Sequence, residues 1–131
     1  MKTEELFNGW HLHVGASDEE LRDAMASMVC PLPHEYTQFL RKHNGGEGFV
    51  GDNYLVLWRA EELGTFNREY EVKHHAPGLL LFGSNGGGEG YGFDTRVADM
   101  PIVRVPFIGM DLQNATPMAA DLDELLVQLA T

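Results

Sequence analysis

The chain has 131 residues, with 20 acidic residues against 9 basic ones and a formal net charge of −11. One domain is expected at this length, since single cores run to about 100–150 residues, and the 44% apolar content is too high for a disordered acidic tail. Nucleic acid is excluded as a direct partner, because that affinity rests on Lys and Arg neutralising phosphates. The first 62 residues hold 11 acids and 5 bases and the remainder 9 and 4, so the charge belongs to the folded surface rather than to a tail. Such a charge keeps a protein dispersed, and it also complements a basic partner. No run approaches the ~18 apolar residues of a membrane span. The acidic start Met-Lys-Thr-Glu-Glu does not read as a secretory signal. Cys30 stands alone in the apolar stretch Met28-Val29-Cys30-Pro31-Leu32, which predicts a buried, inert thiol in a reducing compartment. A cytoplasmic protein is expected.

Along the chain, Trp10, Leu12 and Val14 alternate with His11 and His13, as in a short strand. Ser17-Asp18-Glu19-Glu20 is a capping box opening a first helix, whose apolar stripe is Leu21, Ala24, Met25, Met28 and Val29. Pro31-Leu32-Pro33 ends it and starts a second helix with Tyr36, Phe39, Leu40 and His43 on one face. Asn44-Gly45-Gly46 reads as a left-handed helix stop. Tyr54 to Trp58 is a predicted strand, and Glu61 to about Tyr70 a helix with Leu63, Phe66 and Tyr70 on one face. Leu79 to Phe82 and Tyr91 to Asp94 are strands across a glycine-rich hairpin, and Ile102 to Val105 is another, stopped by Pro106. Asp121 opens a last helix with the stripe Leu122, Leu125, Leu126 and Leu129. The order predicts a single α+β domain: a mainly antiparallel sheet of four to six strands with helices packed on it. Residues 1–131 read as one domain.

Candidate chemistry is sparse. Gly46-Glu47-Gly48-Phe49-Val50-Gly51 matches a dinucleotide fingerprint in letters only, because a helix precedes it, a strand follows it, and Glu47 would oppose a phosphate. The run Gly83 to Gly92 lacks the Lys-Ser/Thr ending of a phosphate loop. It reads as a wide hairpin whose glycines supply positive φ, with Glu89 and Tyr91 offered on an exposed tip. His11 with His13, and His74 with His75, lack the spacing of a metal motif, and His34-Glu35 is not followed by a second histidine. These are expected to be solvated histidines. Glu47, Asp52, Glu89 and Asp94 stand beside glycine turns, but no nucleophile motif accompanies them and Gly-x-Ser-x-Gly is absent. No catalytic residue, cofactor or metal is assigned.

Leu32-Pro33-x-x-Tyr36-x-x-Phe39-Leu40 followed by Asn44-Gly45-Gly46 resembles the signature of the SUKH superfamily, in the subgroup of the fungal Smi/Knr cell-wall regulators. Leu81-Phe82-Gly83-Ser84-Asn85-Gly86-Gly87-Gly88 and Tyr91-Gly92-Phe93-Asp94 resemble its second hallmark, and the match runs from about Ser17 to the C-terminus. Met25 and Val29 depart from it, standing where the family often has Glu and Gly. The resemblance implies an α+β domain without established enzymatic activity, with an N-terminal extension over 1–16 and a family-matching core over 17–131. Its bacterial members are proposed to neutralise toxins, and its fungal members act as signalling adaptors. Tyr36, Phe39 and Leu40 are expected in the core, and Trp58 is either core or groove. A groove would be lined by Trp58 and Tyr91 with the turn acids Glu47, Glu89 and Asp94, an aromatic anchor with a charged rim. The expectation is a non-enzymatic binding protein whose partner is a protein, a basic toxin domain in the first instance. A regulatory adaptor is the alternative and a carboxylate hydrolase the distant third. A homodimer is left open.

Overall fold

Ser17 Oγ accepts from the Glu20 N–H at 3.1 Å and Glu20 Oε1 accepts from the Ser17 N–H at 2.9 Å, so the expected capping box starts α1 (Asp18–Ala26). The computed structural model describes residues 3–28 and 31–131, so the expectations for Val29 and Cys30 lie outside the described residues. The other helices are α2 (His34–Lys42), α3 (Ala60–Glu69), the single turn α4 (Val72–His75) and α5 (Leu122–Ala130). A short 3-10 helix, Thr3–Phe7, precedes them.

Among the described residues, seven strands form one antiparallel sheet in chain order: β1 (His11–Val14), β2 (His43–Val50), β3 (Asn53–Leu57), β4 (Leu79–Ser84), β5 (Glu89–Asp94), β6 (Ile102–Pro106) and β7 (Thr116–Ala119). The α+β class holds, with more strands than the expected four to six. The additional ones are β2 and β7. β2 hides in a glycine-rich stretch that reads as a turn, and β7 begins Thr116-Pro117, a proline tolerated on an edge strand. The helix stop also moves. α2 ends at Lys42, His43 is already extended, and Asn44-Gly45-Gly46 lies within β2. Gly45 does take a left-handed φ of 81°, and a Cβ there would overlap the backbone of Leu57 and Trp58. A bulge between Leu12 and Val14 breaks the alternation of β1, and Val14 is exposed to solvent.

The register fixes which side chains share a face. Gly46, Leu57, Gly83, Tyr91 and Arg104 form one row across the sheet; Glu47, Val56, Ser84, Gly90 and Val105 form the next, on the opposite face. The first face carries α2: Tyr36 packs on Phe82 and Phe93 at ring distances of 5.0 and 5.4 Å, and Leu40 is fully buried. Leu32 is buried, and Phe39 is half-buried against Phe7. α5 is capped by Asp121, whose Oδ1 accepts from the Glu124 N–H, and it buries Leu122, Leu125, Leu126 and Leu129.

One seam of the sheet is short. β3 and β4 pair only at Val56–Ser84 and Leu57–Gly83, where a Cβ on Gly83 would overlap the Val56 carbonyl. Beyond it α3 lies against β4, and Asn67 takes the place of a strand: its Nδ2 donates to the Leu81 carbonyl and its Oδ1 accepts from the Leu81 N–H, both at 2.9 Å. At the other end of α3, Asn44 is buried on β2, accepting from the Ala60 N–H and donating to Glu61 Oε1, each at 2.8 Å.

Two substitutions separate satisfied from unsatisfied polar groups. Asn67→Ala strips both partners from Leu81 and is expected to destabilise by about 2–3 kcal/mol in urea unfolding. The Tyr36 hydroxyl is buried with no hydrogen-bond partner among the described residues, and burial pushes its pKa far above the ordinary phenol value. Tyr36→Phe is therefore expected to leave stability unchanged or raise it by about 1 kcal/mol in the same measurement.

Candidate functional site

On the face away from α2, the side chains of β2 and β3 form an open surface that α3 borders at its Val56 end. Alternation along β2 and β3 sends Glu47, Phe49, Tyr54 and Val56 to this face. Phe49 is 63% exposed and meets Tyr54 edge-on at 5.0 Å. Its carbonyl accepts from the Trp10 indole N–H at 2.9 Å. The Tyr54 hydroxyl donates to Glu47 Oε2 at 2.7 Å, and that bond to a carboxylate raises the Tyr54 pKa. Behind Tyr54 stands the turn 85–88 of the glycine hairpin, where Gly86 (φ 76°) lies against the ring. Asn85 organises this turn by accepting from the N–H groups of Gly87 and Glu89.

The surface runs into a cleft of about 450 Å³ lined by His11, His13, Glu47, Val56, Trp58, Arg59, Glu62 and Phe66. Trp58 closes one side. It meets Phe66 edge-on at 4.8 Å and lies parallel to Tyr70 at 6.2 Å, and Tyr70 stacks on Phe107 at 4.4 Å. Phe107 in turn rests on Gly90, where a Cβ would collide with its ring. Arg59 approaches the His13 ring at 3.2 Å. The two carboxylates of the cleft are both engaged, Glu47 with Tyr54 and Glu62 with the Arg59 N–H at 2.9 Å. Among the described residues no three His, Cys, Asp or Glu side chains are placed to hold a metal ion.

The five residues read from the sequence as one groove fall in three places. Glu47 and Trp58 share the cleft, though Trp58 shows only 6% of its surface. Glu89 and Tyr91 lie on the opposite face, because Gly90 takes the cleft side of β5. Tyr91 is buried rather than on an exposed tip. Burial pushes its phenol up and the neighbouring Arg104 guanidinium opposes that shift. Glu89 Oε2 lies 3.1 Å from Arg104 Nε as an ion pair without hydrogen-bond alignment, and its other oxygen accepts from Asn85. Asp94, at the far end of β5, is buried and clamped by Arg96 Nε and Nη2 at 2.9 and 3.0 Å. Phe49, Tyr54, Arg59 and Glu62 were missed as site residues. The period-2 pattern Glu47, Phe49 and Tyr54, Val56 is visible in the sequence once Gly46 to Val50 is read as strand.

Hydrogen bonds from Arg96 hold the Asp94 carboxyl below the usual carboxylate range. A depressed folded-state pKa contributes stability above the unfolded value of about 3.9 and loses it as pH falls through the folded value. Arg96→Ala is thus expected to be less stable than the parent at neutral pH. The gap should close below the folded Asp94 pKa, as read by urea unfolding from neutral to strongly acidic pH.

Compared with known proteins, the chain is matched over residues 15–128 by the model of the SMI1 / KNR4 family (SUKH-1). Among the described residues, that span takes in α1 to α4, α5 as far as Gln128, both hallmark segments and strands β2 to β7. No curated protein matches it significantly.

Proposed function

We propose, for a chain that belongs to the SMI1/KNR4 family (SUKH-1), a generally non-enzymatic group of protein-binding domains, that the open face of β1–β3 is its contact surface and that it serves as an immunity protein. The partner is a basic toxin domain, neutralised in the cytoplasm by direct binding. The observation that carries this reading is Phe49, a large aromatic left 63% exposed beside the hydrogen-bonded Glu47–Tyr54 pair on a protein of net charge −11. An exposed aromatic anchor beside a carboxylate is what a basic, shape-matched partner recognises. The ordered turn 85–88 borders that face and adds a preformed edge, which limits the entropy lost on binding. Glu89 stands on the opposite face, paired with Arg104, while Trp58, Tyr91 and Asp94 support the sheet from within.

The test is protection of cells expressing a candidate toxin domain, joined to calorimetry over a salt series. Binding should weaken as salt rises. Phe49→Ala and Glu47→Lys are each expected to lower affinity by about 10–100-fold while leaving the urea midpoint near that of the parent. Binding that ignores both substitutions would remove this face as the contact surface. Binding of an endogenous protein to the same face, with no protection from any toxin, would transfer the assignment to a regulatory adaptor.

A further inference from the structure

A second cavity opens on the other side of α3, between the end of α1, α4 and the start of β4. It follows from the short β3–β4 seam: Leu79 and Leu80 pair with β5 on one side but have no strand on the β3 side, and the helices fill that side incompletely. Its volume is about 360 Å³, within the range of small-molecule sites. Met28, Val72, Leu79 and Leu80 supply apolar walls, and Gly64 leaves the α3 wall without a side chain.

Of the polar side chains in the lining, three are already engaged, and His74 stands exposed at the rim. Ser27 donates to the Ala24 carbonyl, Asn67 is committed to Leu63 and Leu81, and Thr95 donates to the Gly78 carbonyl. The interior therefore offers a ligand packing rather than directed hydrogen bonds, so the ligand body must be apolar. Charge is offered only at the mouth. Arg68 and Lys73 both line it, and among the described residues neither forms an ion pair. Two cations against a single acid at one apolar opening run against the rest of a chain with 20 acids and 9 bases. The one acid of the lining, Glu71, lies 3.9 Å from His75. Glu71 also has φ 52°, a left-handed conformation that a residue with a Cβ keeps only under constraint. That turn between α3 and α4 buries Val72 while Lys73 stays exposed at the rim.

We propose that this cavity binds an aliphatic monocarboxylate, with its chain against Val72, Leu79 and Leu80 and its carboxylate between Arg68 and Lys73. The assignment is independent of the partner surface on β1–β3. Decanoate, decanol and acetate, titrated into the full chain by calorimetry, separate the two parts of the claim. Decanoate should bind one to one with Kd of about 10–100 µM, decanol about tenfold more weakly, and acetate not measurably. Amide resonances of Gly64, Gly78 and Thr95 should move on titration. The double variant Arg68→Ala, Lys73→Ala should lose about tenfold or more for decanoate and little for decanol. Arg41→Ala, which breaks the Arg41–Asp18 pair away from the cavity, should leave binding unchanged. Urea midpoints near that of the parent would show that the variants are folded. Absence of decanoate binding at about 1 mM, resonance shifts confined to other residues, or equal affinity in the double variant would each overturn the proposal. Tighter binding of an acetylated dileucine would reassign the cavity to the C-terminus of a peptide.

Discussion

The architecture depends on how buried backbone groups are paired where β3 and β4 part. A buried N–H or C=O left without a partner costs about as much as any single packing defect, so the sheet cannot simply open there. Asn67 resolves the problem by offering one donor and one acceptor to Leu81, the pairing a neighbouring strand would have made. That fixes α3 in the seam. Asn44, reaching from β2 to the Ala60 N–H and Glu61, fixes its first turn. A helix pinned at both ends then decides where Trp58 and Phe66 meet, where Tyr70 reaches Phe107, and what space remains on either side. The two asparagines have a larger structural role than their burial suggests.

Much of the fold was legible because helix signals are local. The Ser17–Glu20 box and the Asp121 cap each need only a few residues to be recognised, and the leucines of α5 repeat at helical spacing. Strands are different, since their stability comes from neighbours distant in sequence. β2 carries three glycines between Asn44 and Gly48, a composition that signals a turn when read alone. It is a strand because Trp10 covers Gly48, β1 crosses closely at Gly46, and β3 pairs along its length. The glycines are there for close approach rather than for a stop. Gly83 repeats the lesson at the seam.

The candidate site was harder to read for a related reason. Glu89, Tyr91 and Asp94 follow one another closely in sequence, and proximity along the chain suggested one groove with Glu47 and Trp58. A strand sends consecutive side chains to opposite faces, so the choice of face turns on a register no local motif specifies. Gly90 occupies the cleft side of β5, and Phe107, just after β6, fills the space above it. Tyr91 is left beneath, beside Arg104. The acids near the glycine turns thus hold different partners: Glu47 a phenol, Glu89 an arginine and Asp94 a second arginine.

The same helix forms a wall of both cavities, and its sequence shows how. Glu62 and Phe66, one turn apart, face the cleft; Gly64, Asn67 and Arg68 lie on a stripe turned toward the apolar cavity. The first stripe joins an acid to an aromatic ring, and the second removes a side chain, fixes the backbone and adds a cation. Any shift of α3 that enlarged one cavity at the expense of the other would have to break the Asn67–Leu81 bonds, both of them backbone groups of a core strand. The coupling of one cavity to the other through the helix is therefore opposed by the interaction that created them. Two surfaces of opposite chemistry can sit within one small domain because the wall between them is held by its hydrogen bonds rather than by packing alone.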